Sequence, residues 1–170
     1  MGSLIGLSVD QVKASSDVPE FKLGTRGLLA STNETEADGD KEYVYVNAGE
    51  AITGLGYLCV IDSNFVAQMV DTTSSAPGAG AGKPVGAAQA AIASGGYGWL
   101  QIHGKGSLRT LASAAVGTEL TSSATPGAVD DATTAGLEVI NGLSLGTASG
   151  GSAETNDDAY FTYPHVGRTL

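Results

Sequence analysis

The chain has 170 residues and a formal net charge of −10, and only 15% of its residues are charged, against roughly 25% in ordinary globular chains. Eighteen acidic side chains against eight scattered Lys and Arg argue against a nucleic-acid backbone as partner, because that contact depends on clustered cations. No apolar run is long enough to span a membrane, and a single cysteine permits neither a disulfide framework nor a thiolate metal site.

Residues 1–19 read as an N-terminal arm. Leu4, Ile5, Leu7, Val9 and Val12 are apolar, but Gly2, Gly6 and Ser15-Ser16 break any long helix. The first six residues have neither the cationic nor the apolar region of a signal peptide, nor the hydroxyl residue a myristoylation signal wants at position six. An apolar arm of this kind docks on its own domain or on a neighbour.

Residues 20–170 read as a β-domain. Phe21, Leu23 and Thr25 alternate with Lys22 and Gly24, and Leu28-Leu29-Ala30 follows. Residues 31–42 form an acidic loop with an Asp38-Gly39 turn. Tyr43 and Tyr45 then alternate with Val44 and Val46, both sets being β-formers, which predicts a strand covered on both faces. Tyr57–Ile61 and Phe65–Val70 flank Asp62-Ser63-Asn64 as a hairpin. Thr72–Gly82, rich in Ser, Gly and Ala, reads as a flexible linker. A second hairpin is predicted from Val85–Ala93 and Tyr97–Ile102 around Ser94-Gly95-Gly96, although five alanines in its first arm also suit a short helix. Short strands are predicted at Ser107–Leu111, Gly117–Thr121 and Leu137–Ile140, and a last one at Tyr160–Tyr163, ended by Pro164. The turns between them are Pro126-Gly127, Asn141-Gly142 and Gly150-Gly151. The fold class expected is all-β, a single small β-barrel or β-sandwich with an extended N-terminal arm. No repeat of fixed period is visible in the residues.

No catalytic, cofactor-binding or metal-binding residue is predicted. Gly78-Ala79-Gly80-Ala81-Gly82-Lys83 looks like a phosphate-binding loop, but Pro77 stands where that motif needs its first glycine and Pro84 where it needs Ser or Thr. His103 and His165 have no carboxylate or thiol at ligand spacing. No Gly-x-Ser-x-Gly elbow is present. Glu34, Glu36, Asp38, Asp40 and Glu42, with the pairs Asp130-Asp131 and Asp157-Asp158, lack the spacing of a calcium loop and read as solvated surface. Asn33-Glu34-Thr35 has the form of a glycosylation sequon. Cys59, inside Tyr57–Ile61, reads as a small buried hydrophobe.

Four stretches carry a likeness. They are Glu42–Ala48, Pro84–Ala93, Gly95–Gly104, and Gly117–Leu120 with Gly127–Ala132. In their placement of Gly, Ala and aromatic residues they resemble the small tailed-bacteriophage proteins that decorate, or cement, the capsid. The resemblance covers about half the chain. It implies an all-β, non-enzymatic virion protein that needs no cofactor. Such a protein is assembled in the host cytoplasm and seated as a homotrimer on the major capsid protein, at local threefold positions of the outer capsid surface. Neither nucleic acid nor membrane is an expected partner. Other readings are a tail-tube or head-fibre subunit, or a carbohydrate or cell-surface module that stacks its ligand on Tyr97 and Trp99, two residues apart on one strand face.

Overall fold

The computed structural model describes residues 4–31, 39–150 and 153–170. The described residues are all-β apart from one helical turn. Its elements are β1 (Leu4–Gly6), α1 (Val9–Val12), β2 (Arg26–Leu29), β3 (Lys41–Ala48), β4 (Leu58–Ile61), β5 (Val66–Met69), β6 (Val85–Ala88), β7 (Tyr97–Thr110), β8 (Thr121–Ser122), β9 (Val129–Asp130), β10 (Glu138–Leu145) and β11 (Thr155–Thr169). The strands belong to one sheet, in the order β1-β2-β3-β5-β4-β6-β7-β11-β10-β8-β9, with further pairings β3–β7 and β7–β9.

Those further pairings close the sheet on itself twice. The first ring runs β3-β5-β4-β6-β7 and back to β3, and the second runs β7-β11-β10-β8-β9 and back to β7. Every pairing of the first ring has a counterpart of the same sense in the second. β3 and β5 are parallel, and so are β7 and β9. The antiparallel pairs β4/β5, β4/β6, β6/β7 and β3/β7 correspond to β8/β9, β8/β10, β10/β11 and β7/β11. Single bonds repeat as well. Gly49 N donates to Ala67 O at 2.8 Å, and Leu111 N donates to Val129 O at 2.8 Å, both partners moved on by the same step (49 to 111, 67 to 129). Phe65, at φ 59°, and Gly127, at φ 77°, fill equivalent left-handed turn positions. The chain thus contains a structural repeat that its residues do not display.

Three apolar clusters hold the fold. Strand alternation turns Val44, Val46, Cys59, Ile61, Ala67, Leu100 and Ile102 into one cluster inside the first ring. The alternate residues of β4 and β6, Leu58, Val60, Val85 and Ala87, join Leu108, Val129, Ile140, Ala159 and Phe161 of the second ring. β4 and β6 are therefore buried on both faces. The third cluster lies outside the first ring, where Tyr43, Tyr45 and Trp99 meet Leu7 and Val12 of the N-terminal segment. Tyr45 faces Trp99 across β3/β7; the equivalent pair across β7/β11 is Ser107 and Asp158. The first ring has an aromatic outer face that needs a cover, and the second has a polar one that does not.

Several strand limits differ from the sequence expectation. Phe21–Thr25 is a turn, closed by Thr25 N donating to Lys22 O at 3.0 Å. Gly24, at φ 79°, lies under the Phe65 ring, where a Cβ would come within 2.3 Å. The arm Val85–Ala93 is a strand only to Ala88, and Gly117–Thr121 contributes only the start of β8. Tyr97–Ile102 and all of Ser107–Leu111 but its last residue are parts of one 14-residue strand, Tyr97–Thr110. Pro164 does not end β11. The register shift between Asn141 and Leu143 loops the chain out there, which is how a strand accommodates a proline. Thr72–Gly82 is a run of hydrogen-bonded turns: Asp71 Oδ1 accepts from Thr73 N at 2.8 Å and Ser74 N at 2.6 Å, and Gly82 N donates to Val166 O at 2.9 Å.

Candidate functional site

The N-terminal segment is packed on the aromatic outer face of the first ring. α1 is one turn, fixed by a capping box in which Gln11 N donates to Ser8 Oγ at 3.3 Å and Ser8 N donates to Gln11 Oε1 at 2.9 Å. β1 lies parallel to β2, and Leu7 N donates to Leu28 O at 2.8 Å. Ser16 and Tyr97 then exchange two backbone bonds, at 3.0 and 2.8 Å. Beyond them Phe21 closes on Tyr45 and Trp99, both with ring centroids 5.3 Å away, while Tyr45 and Trp99 are themselves 5.0 Å apart. Glu20 N donates to the Tyr45 hydroxyl at 3.1 Å. The arm thus docks on its own chain. Leu7 and Val12 face inward, whereas Val9 and Val18 are 51% and 69% exposed and offer apolar surface outward. Trp99 is 3% exposed, so the stacking platform that a carbohydrate module would need is covered by the protein itself.

Among the described residues, the cysteine, both histidines and the paired aspartates make intramolecular contacts. Cys59 is fully buried; burial, with Glu50 nearby, pushes its thiol pKa far up, away from the thiolate a nucleophile needs. His103 stacks on Tyr163 at 5.0 Å, and the His165 ring meets the Asn141 amide at 3.4 Å. Asp131 accepts from Ala115 N at 3.0 Å, and Asp130 accepts from Asp131 N at 2.9 Å. Asp157 accepts from the hydroxyls of Thr110 and Thr155, and Asp158 pairs with Lys105 at 3.2 Å. Among the described residues, no three His, Cys, Asp or Glu side chains gather as a metal site would require. Asn33, Glu34, Glu36 and Asp38 lie outside the described residues. The glycine-rich turns border a cleft of about 310 Å³ lined by Asp62, Gln68, Ser74 and Lys83. Their amides are largely taken up by bonds within the turns and do not form a phosphate cradle.

Two features escaped the sequence reading. On the surface, Arg26 lies over the Tyr163 ring at 5.6 Å, and the Tyr163 hydroxyl donates to Glu42 Oε1 at 3.0 Å. This cluster joins β2, β3, β7 and β11, and Tyr163 is held at φ 52°, a backbone state that costs a non-glycine residue energy. In the interior, the Gln101 amide donates to the carbonyls of His103, Gly104 and Lys105 at 3.1, 3.2 and 3.1 Å. It holds β7 where the strand passes from one ring to the other. A long-range register was needed to see the Arg26–Glu42–Tyr163 cluster; the Gln101 contacts span only two to four residues, but an isolated glutamine in a strand gave no signal.

No protein family, curated protein or solved structure matches the chain.

Proposed function

We propose that the chain is a structural virion protein that binds the outside of a tailed-phage capsid and stabilises it, as a homotrimer at local threefold positions. One observation supports this reading above the others. Of the four stretches that carry the resemblance to decoration proteins, the one at Gly117–Leu120 and Gly127–Ala132 falls in the second ring, where it includes β9, but the other three gather: Glu42–Ala48 contains most of β3, Pro84–Ala93 contains β6 and Gly95–Gly104 begins β7. Together they make up three of the five walls of the first ring, the part of the molecule on which the N-terminal segment is seated. A net charge of −10 suits an outer skin that stays clear of nucleic acid. A tail-tube or head-fibre subunit remains the second reading, since it draws on the same composition.

The test is addition of the purified protein to undecorated, expanded capsids. Saturable binding and a regular surface array in electron micrographs are expected. Failure to bind any expanded shell of the cognate phage would remove the proposal. Light scattering that gives only the monomer mass, both free and after release from capsids, would remove the trimer.

A further inference from the structure

We infer that the two rings are copies of one five-strand unit fused through a common strand, and that the fusion makes them open as one body. In an ordinary tandem repeat a linker lets each unit unfold at its own cost. Here β7 is the last strand of the first ring and the first strand of the second. Tyr97–His103 pairs with β3, and Gln101 and Leu100 also pair with β6; His103–Thr110 pairs with β11, and Thr110 also pairs with β9. Withdrawing β7 breaks both rings.

Backbone bonds away from β7 stitch the units a second time. Leu58 N donates to Gly127 O at 2.9 Å and Gly127 N to Val70 O at 2.8 Å, while Gly82 N donates to Val166 O and Val166 N to Lys83 O, both at 2.9 Å. Each of these bonds joins a residue of the first unit to one of the second. The apolar cluster that buries Leu58, Val60, Val85 and Ala87 is completed by Leu120, Ile140 and Phe161, so the first unit's outer face is part of the second unit's core. Without the first unit the second lacks part of its interior, and without the second the first exposes Leu58, Val60, Val85 and Ala87.

The chain carries its own reporter. Cys59 is its one cysteine and lies at 0% exposure inside the first ring, so a thiol reagent reaches it only when that ring opens. Under native conditions and slow labelling, the rate follows the population of the open state. Leu120→Ala removes a side chain from the second unit only. If the units open together, Cys59 in this variant should react with a disulfide reagent on the order of a hundredfold faster than in the parent protein, the usual consequence of a large-to-small core change. Ile140→Val, a milder change in the same unit, should accelerate labelling by about two- to tenfold and replaces the first variant if that one does not fold. Conversely, Leu100→Val in the first ring should speed hydrogen exchange at the amides of Ile140 and Leu111. An unchanged Cys59 rate, alongside faster exchange at those second-unit amides in Ile140→Val, would overturn the inference, because it would show the second unit opening alone.

Discussion

Replacing Trp99 by Ala tests the cluster that ties the N-terminal segment to the body. The indole is 3% exposed and has Phe21 and Tyr45 rings 5.3 and 5.0 Å away. Truncating a buried Trp or Phe costs about 3–5 kcal/mol, and the value here belongs near the middle of that range. The aromatic contacts are lost, but the site lies under a short docked segment that can partly settle into the space. About 4 kcal/mol is a large share of the 5–15 kcal/mol that holds a typical domain folded. For a chain of this length each kcal/mol moves the melting temperature by about 2–4 °C, so a fall of about 8–16 °C is expected. Circular dichroism is the suitable probe, because the variant has no tryptophan left to fluoresce. The parent protein should show blue-shifted emission that iodide barely quenches. A melting temperature within about 3 °C of the parent, or red-shifted and readily quenched emission from the parent, would refute the account of Trp99 as a buried anchor.

Deleting residues 2–18 removes the burial of Leu7 and Val12, worth about 1.5–3 kcal/mol each; the remaining β-body should melt earlier, as read by calorimetry, and on the proposed function it should co-sediment less with capsids. Gly104→Ala should destabilise by about 2 kcal/mol or more in denaturant titrations, since φ is 89° and the new Cβ would lie 2.5 Å from Asp40 O. Burial raises the pKa of both the Cys59 thiol and the Tyr43 phenol in the folded state. Both groups stay protonated there while the unfolded chain loses its protons, so their stabilisation is whole below about pH 8.5 and about pH 10 respectively and declines as pH rises beyond those values. Melting temperatures should therefore fall on the alkaline side, and Cys59→Ala should abolish the earlier part of that fall.

What could be read from the residues was whatever local alternation and turn chemistry decide. The strand at Tyr43–Val46 and the hairpin around Asp62-Ser63-Asn64 are strong in both respects. In the latter, Asp62 Oδ1 accepts from Asn64 N at 2.8 Å and Val66 N at 2.9 Å, an Asx turn that its sequence announces. Phe21–Thr25 misled because alternation of apolar and polar residues also arises in a turn that places one ring on a distant aromatic pair. Pro164 misled because a proline ends a strand only where no bulge is available. The repeat was hidden for a different reason: it lives in backbone pairing, while the side chains at equivalent places have diverged as far as Trp99 and Asp158. The docked N-terminal segment was partly legible, in its apolar residues, but the aromatic face it covers is assembled from β3 and β7, with Tyr45 and Trp99 more than fifty residues apart.

The absence of a linker between the rings also fixes their geometry. The fourteen residues of β7 act as a beam that runs through both units, bent at Gly104 (φ 89°), with hydrogen-bonded neighbours along both halves. Domains joined by a peptide swivel about it; units joined by a beam keep their bearing, and turning one against the other would mean shearing ladder bonds on both sides at once. The molecule should therefore transmit a pull applied at one ring to the other without first taking up slack.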